Sequence, residues 1–162
     1  MNAEIAIRQA QRADRSALLF FHRELYMRYR REITPASLEA IYAYRDLEAA
    51  LRDDIDALLH RRGTLIYLAE RGDEPCGYIT GHTEHDARRV LSGKGVVEDW
   101  FVLEAWRGKG VGRRLIQTLL DQFRTLGCQV AESATWPFNT PGRQAHLSEG
   151  FEEVEIRFRR KL

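Results

Sequence analysis

A cluster of glycines and basic residues lies in the middle of the chain, in the order Arg107-Gly108-Lys109-Gly110-Val111-Gly112-Arg113. An amphipathic pattern begins inside it at Val111, which predicts that a helix starts there. The first amides of a helix have no internal acceptor and carry the positive end of the helix dipole. Glycines let an anion approach those amides closely, so the cluster predicts a phosphate or pyrophosphate site. The alternative is a tight turn with a solvated basic rim.

The spacing of the glycines argues against the two common nucleotide-binding motifs. A dinucleotide-binding G-x-G-x-x-G motif would need its last glycine where Arg113 or Leu115 stands. The P-loop needs G-x-x-x-x-G-K followed by Ser or Thr, which the sequence lacks. A nicotinamide-dependent oxidoreductase is therefore disfavoured.

The hydrophobic pattern predicts the elements that must position this cluster. Its period is about 3.6 before Gly63 and about 2 after it, and a helical stripe returns at Val111. Strands are predicted over residues 5–7, 64–70, 75–84, 96–103, 129–134 and 154–158, and helices from Asp14, Thr34, Asp46, Val111 and Thr140. No linker or repeat interrupts the chain, so we predict one α+β domain over residues 1–162 with a mixed sheet.

Length and charge exclude several classes of function. The chain has 162 residues, with 25 Lys and Arg against 24 Asp and Glu, which gives no electrostatic argument for a nucleic acid or a membrane surface. No apolar run approaches the roughly 18 residues of a membrane span, and the first residues do not resemble a secretory signal. Cys76 and Cys128 lie far apart, and His82 and His85 would point to opposite faces of a strand. We therefore expect a soluble, cytoplasmic protein without a metal site.

The segment from Val96 to Phe151 resembles the GNAT N-acetyltransferase superfamily. The run from Arg107 to Gly112 is similar to its acetyl-CoA signature, Arg/Gln-x-x-Gly-x-Gly/Ala, and Asn139 precedes Gly150-Phe151 as in the family. The run Glu98-Asp99-Trp100-Phe101-Val102 most resembles the diamine-acetyltransferase branch. The resemblance implies the GNAT fold, in which a mixed, mostly antiparallel sheet is flanked by helices.

The resemblance also implies that acetyl-CoA is the co-substrate and assigns its binding residues. Backbone groups of β-strand residues before the cluster would pair with the pantetheine arm, amides of the cluster would hold the pyrophosphate, and Asn139 would bond the pantetheine from the opposite side. The implied acetyl-CoA-binding residues are Trp100, Phe101, Val102, Arg107, Gly108, Lys109, Gly110, Val111, Gly112, Arg113 and Asn139.

Amine acetylation requires a general base, because an alkylamine is mostly protonated at neutral pH. The resembling branch places the base at Glu98, on the strand before the glycine cluster. Strand alternation predicts that Asp99 points to the other sheet face, although a local bulge would exchange the two. Glu132, on the neighbouring predicted strand, is a second alternative.

A general acid for the leaving thiolate is predicted at His146, where the family usually has Tyr. Imidazole donates protons near neutral pH, so the acid role is compatible with this replacement. The alternative is a histidine that only packs or faces water. Gly142 also replaces the family's usual Ala, which predicts a shifted start of the last helix.

The sequence thus predicts an N-acetyltransferase that acts on a primary amine of a small molecule or peptide. A non-catalytic acyl-CoA sensor of the same fold is the alternative, because the usual Tyr is missing. The resemblance implies an acceptor site around the first helices. Arginines outnumber acidic residues there, which weakens the case for a polycationic diamine acceptor. We also expect a homodimer, because one strand after Phe151 is missing or supplied by a partner.

Overall fold

The computed structural model describes residues 4–162; Met1–Ala3, part of the segment in which no secretory signal is predicted, lie outside the described residues. The strands are β1 (Ile5–Gln9), β2 (Leu65–Arg71), β3 (Glu74–His85), β4 (Gly93–Val102) and β5 (Val130–Ser133). The helices are α1 (Arg15–Arg28), α2 (Glu39–Tyr42), α3 (Leu47–His60), α4 (Val111–Thr125) and α5 (Thr140–Ser148). The α1 helix continues into a π-helical turn, Tyr29–Ile33.

The five strands form one sheet in the order β1-β2-β3-β4-β5. The pairings from β1 to β4 are antiparallel, and β5 runs parallel to β4. The predicted α+β class with a mixed, mostly antiparallel sheet is therefore confirmed. The β4–β5 pairing extends only from Lys94↔Val130 to Val97↔Ser133, so the two strands separate beyond Val97.

The two faces of the sheet are covered by different helices. One buried cluster joins Leu18 and Phe21 of α1 and Ile55 of α3 to the sheet residues Tyr78 and Phe101. A second cluster joins the apolar stripe of α4 to the opposite sheet face. Its buried members are Leu65, Ala69, Cys76, Ile79, Val97, Val111, Leu115, Ile116, Leu119 and Phe123. We call these the α1/α3 face and the α4 face.

Local signals in the sequence explain most element boundaries. Asp46 caps α3 by accepting a hydrogen bond from the Ala49 amide at 3.0 Å. Gly72, with φ of +61°, makes the turn between β2 and β3. The helix predicted from Thr34 is limited to a 3₁₀ turn and the four-residue α2.

The strand predicted over residues 154–158 is wrong. Residues 152–162 contain neither helix nor strand, and Val154, Ile156 and Phe158 are 84%, 83% and 89% exposed. An alternating apolar pattern makes a strand only where a neighbouring strand accepts its backbone hydrogen bonds. Among residues 4–162, no helix is long and apolar enough to span a membrane.

Candidate active site

A β-bulge in β4 defines the central feature of the site. Ile79 pairs with Trp100 and Gly81 with Val97, so Glu98 and Asp99 together oppose the single residue between them on β3. Because Val97 and Trp100 both pack on the α4 face, both acidic side chains point to the α1/α3 face. The prediction that Asp99 points away from Glu98 is therefore wrong. The bulge does not exchange the two residues but brings them to one face.

Glu98 is held by a cation at the end of α3. Arg61 Nη1 donates to Glu98 Oε1 at 2.9 Å, and Arg61 Nη2 donates to Glu98 Oε2. This paired geometry raises the pKa of the Arg61 guanidinium above its ordinary value, chiefly through the hydrogen bonds to Glu98. His82 Nδ1 lies 3.4 Å from Glu98 Oε1. The carboxylate is thus fixed in orientation.

Asp99 belongs to a separate network that joins β4 to α1 and α3. Its Oδ2 lies 3.5 Å from His22 Nδ1, and His22 Nε2 lies 3.2 Å from Asp54 Oδ2. Burial of the imidazole alone would lower its pKa, but the contacts with Asp99 and Asp54 outweigh this and raise it. Tyr78 is fully buried beside Asp99, and burial raises the pKa of its phenol well above 10. The two acidic residues of the bulge therefore have different partners.

The gap between β4 and β5 opens next to this bulge. Beyond Val97, no strand of the described chain lies beside the β5-facing edge of β4. The backbone from Trp100 to Val102 borders this gap and pairs with β3 on its other edge. This arrangement suits an extended ligand that adds to β4 as a strand would.

The glycine cluster forms the turn between β4 and α4. Gly108 and Gly110 have φ of +71° and +79°, and nothing lies within 4 Å of where their β-carbons would be. The first bond of α4 runs from the Arg114 amide to the Gly110 carbonyl at 3.0 Å, so the preceding amides have no acceptor in the helix. These open, left-handed glycines and amides form a cradle that fits a pyrophosphate.

The basic side chains of the cluster do not all face this cradle. Arg107 Nε donates to the Val102 carbonyl at 2.9 Å, and its guanidinium lies over the Phe101 ring. Burial, followed by the nearby Arg28, lowers the pKa of Arg107. Lys109 Nζ lies 4.9 Å from the centre of the Trp106 ring. Arg107 thus stabilises the end of β4 by a hydrogen bond and a ring contact.

Asn139 has a structural role that the sequence analysis missed. It is 4% exposed, and its Oδ1 caps α5 by accepting from the Gly142 amide at 3.1 Å. Its Nδ2 donates to Thr135 Oγ1 at 2.8 Å and to Tyr29 OH at 3.2 Å. A β-carbon on Gly142 would lie 2.2 Å from Asn139 Nδ2, so a larger residue there would have to displace the capping side chain. The helix predicted from Thr140 is confirmed, because this cap fixes its start there.

His146 lies on the α4 face, across β4 from the acidic pair. Its ring meets Trp100 edge-on, with centres 5.3 Å apart, and Phe151 at 5.5 Å. Its Nε2 is 2.7 Å from Ser133 Oγ, and its Nδ1 is 2.6 Å from the Gly142 carbonyl oxygen. The histidine is therefore both packed and hydrogen-bonded at the end of the paired part of β5.

Several residues of the site could not be found from sequence spacing. Arg61, His22 and Ser133 reach it from three elements, and no short motif contains them. Glu132, the second alternative base, is exposed and its Oε2 lies 3.2 Å from Lys94 Nζ. Within residues 4–162, no group of three or more His, Cys, Asp or Glu side chains is arranged to hold a metal ion.

Comparison with known proteins identifies relatives over most of the chain. Residues 22–151 match the acetyltransferase (GNAT) family. An aminoglycoside N(6')-acetyltransferase type 1 from Stenotrophomonas maltophilia is 28% identical over 132 residues, which cover 77% of this chain and 86% of that protein. The enzyme of the same name from Salmonella typhimurium strain LT2 is 34% identical over 91 residues, or 55% of this chain and 63% of that protein.

Solved structures share the fold. The aminoglycoside N-acetyltransferase AAC(6')-Iy in complex with CoA superposes with a TM-score of 0.78, at 22% identity, over 99% of this chain and 97% of that one. A predicted acetyltransferase from Clostridium acetobutylicum, solved with acetyl-CoA, superposes with a TM-score of 0.75, at 14% identity, over 98% of this chain and 96% of that one. The chain therefore belongs to the GNAT acetyltransferase family and is an N-acetyltransferase that uses acetyl-CoA.

Proposed function

We propose that the acceptor is a small polycationic amine of the aminoglycoside type. The observation that carries this proposal is the bulge, which places Glu98 and Asp99 together on the α1/α3 face. Asp54 is connected to Asp99 through His22, so a third carboxylate lies nearby. Carboxylates attract ammonium groups and orient them by hydrogen bonds. The relatives named as aminoglycoside N(6')-acetyltransferases support this acceptor class.

Ion pairs partly neutralise the arginines of the first helices. Three of them are paired with carboxylates at distances of 2.7 to 3.4 Å. These pairs are Arg23–Glu48, Arg28–Glu32 and Arg30–Glu39. Tyr26 and Tyr44 pack together with ring centres 5.5 Å apart, and the pKa of Tyr44 is raised by burial, then by Asp54 and nearby groups. Aromatic rings beside carboxylates favour organic cations.

We propose that acetyl-CoA binds along β4 and at the start of α4. The amides from Gly108 to Arg113 would bind the pyrophosphate, and backbone groups of 100–102 would pair with the pantetheine arm. Asn139, which the resemblance places at the pantetheine, would contribute one Oδ1 lone pair that the cap does not use. Bound there, acetyl-CoA supplies the activated acetyl group at the gap between β4 and β5.

Glu98 is the proposed general base. It accepts a proton from the acceptor ammonium, and the neutral amine then attacks the thioester carbonyl. The bidentate contact with Arg61 fixes the direction of the carboxylate, which favours a near-attack geometry. Asp99 would hold a cationic group of the acceptor, and it remains the alternative base, as does Glu132. A backbone amide of β4 would stabilise the oxyanion.

A test of the acceptor class compares amines by thiol release from acetyl-CoA. Neamine, spermidine, a short diamine and a lysine peptide are offered at equal concentration, and products are identified by mass spectrometry. We expect kcat/KM to be highest for neamine. A preference for spermidine or the diamine would favour the diamine branch, and a preference for the peptide would favour a peptide acceptor. Coenzyme A binding without turnover of any amine would favour the sensor module.

We also propose a homodimer formed through the segment after Phe151. Val154, Ile156 and Phe158 alternate and are exposed, and β5 is an edge strand of the sheet in residues 4–162. Edge strands and exposed alternating apolar residues both favour strand addition, so a second copy of the chain is the proposed partner. Replacing Ile156 with Asp should shift the mass measured by light scattering from dimer to monomer. A monomeric wild type, or a variant that stays dimeric, would contradict this interface.

A further inference from the structure

The Ser133–His146 pair lies where β4 and β5 separate. Ser133 is the last paired residue of β5 and stands opposite Val97, one residue before the bulge. The 2.7 Å contact between Ser133 Oγ and His146 Nε2 joins β5 to α5 at this point. A hydroxyl therefore stands between the imidazole and the start of the gap.

The second nitrogen of His146 fixes its tautomer. Nδ1 lies 2.6 Å from the Gly142 carbonyl oxygen, and a carbonyl oxygen can only accept, so Nδ1 carries a hydrogen. In the neutral imidazole, Nε2 then has a lone pair and accepts from the Ser133 hydroxyl. The Asn139 cap holds Gly142 in place, so the tautomer is set by the start of α5.

We propose that Ser133 donates the proton to the departing thiolate and that His146 resupplies it; this rests on the catalytic scheme proposed above. Ser133 Oγ transfers its proton to the sulfur as the carbon–sulfur bond breaks with its electron pair on sulfur. In the same step, Oγ takes the Nε2 proton of protonated His146. A thiol forms, the serine hydroxyl is restored, and His146 becomes neutral with its hydrogen still on Nδ1. Solvent returns the Nε2 proton, and the ring need not turn.

The other surroundings of the imidazole do not compete for this proton. Trp100 and Phe151 meet the ring edge-on, and Trp100 Nε1 is already bonded to the Gly112 carbonyl at 3.0 Å. Within residues 4–162, Ser133 carries the one side-chain hydroxyl that is hydrogen-bonded to His146. The serine is thus the route by which the imidazole reaches the gap.

Steady-state kinetics tests the pair with four variants and a control. Ser133→Ala and His146→Phe should each lower kcat by about 10²-fold, with acetyl-CoA affinity within about twofold of wild type. The double variant should lose no more than either single variant, because the two residues act as one unit. Ser133→Thr keeps a hydroxyl and should recover most of the rate. Ser148→Ala, which removes an α5 hydroxyl bonded to the Ala145 carbonyl, is the matched control.

Nitrogen-15 NMR of the ligand-free protein provides a readout that needs no turnover. We expect a protonated Nδ1 and an accepting Nε2 for His146 near pH 8, and a shifted Nε2 resonance in Ser133→Ala. Full activity of Ser133→Ala, or a hydrogen on Nε2 in the neutral ring, would overturn the inference. Either result leaves the acetyltransferase scheme with Glu98 intact, whereas an inactive wild type would refute the scheme and not the Ser133–His146 geometry.

Discussion

The two faces of β4 differ in how far along the chain their contacts reach. On the α4 face, Trp100 Nε1 bonds the Gly112 carbonyl only 12 positions away, and the glycine cluster follows the strand directly. On the α1/α3 face, Glu98 bonds Arg61 across 37 positions, and Asp99 meets His22 of the first helix. Most of the proposed donor side is therefore built from one continuous segment, to which Asn139 is added, whereas the proposed acceptor side is built from three elements.

This difference has a consequence for catalysis and specificity. The segment 100–113 presents its backbone groups to the ligand through β4 and the start of α4, and these groups do not depend on which side chains the first helices carry. The α1/α3 face instead depends on α1 and α3, so changes in those helices alter the acceptor without disturbing the phosphate cradle. Because the donor and acceptor sides are built from different parts of the chain, the acetyl donor can stay the same while the acceptor changes.

The largest expected effect separates the two bulge carboxylates. Glu98→Gln should lower kcat by about 10²–10⁴-fold while leaving coenzyme A affinity unchanged, because the lost proton transfer belongs to the transition state. Asp99→Asn should chiefly raise the acceptor KM, because it removes charge that attracts the amine. Initial rates over a range of acceptor concentrations distinguish the two.

An exposed amide substitution provides the control for these variants. Asp121→Asn breaks only a surface pair with Arg124 on α4 and should change neither constant. If Asp99→Asn loses the rate and Glu98→Gln retains it, the base is Asp99. If only Glu132→Gln loses the rate, the base is Glu132 of β5, and neither carboxylate of the bulge has that role.

The sequence predicted the α4 face of β4 better than the α1/α3 face, because the contacts on the α4 face join residues that are close in the chain. The glycine turn, the α4 stripe and its end at Gly127 depend on neighbours a few positions apart, and the structure has them there. The bulge depends on the register between β3 and β4, which strand alternation alone does not specify. Arg61 and His22 were missed because their partners are distant in sequence, and the 154–158 strand failed because it lacks a neighbour.

The next largest effect is a loss of coenzyme A affinity caused by a substitution in the glycine cluster. Gly110→Val introduces a branched side chain where φ is +79° and fills the open space of the cradle. Coenzyme A affinity should fall at least about tenfold, or roughly 1.4 kcal/mol, as measured by isothermal titration calorimetry. Gly127→Val is the matched control, because it has φ of +82° and equally open surroundings at the opposite end of α4.

The two glycine variants together separate strain from binding. Both should reduce the melting temperature, because a branched residue is disfavoured at positive φ. Only Gly110→Val should weaken coenzyme A binding. Equal affinities in two folded variants would mean that the phosphate site lies elsewhere.

The smallest expected effect concerns the pH dependence of stability on the α1/α3 face. Because Asp99 and Asp54 raise the pKa of His22 despite its burial, the folded state binds this proton more tightly than the unfolded state. The resulting stabilisation is fully present below the ordinary histidine pKa and is lost as pH rises through the folded value. His22→Gln should therefore reduce the melting temperature at pH 5.5 by about 3 °C more than at pH 8.5. His85→Gln, at the exposed end of β3, should show no such difference. An equal loss at both pH values would mean that His22 acts there through packing and its neutral hydrogen bonds alone.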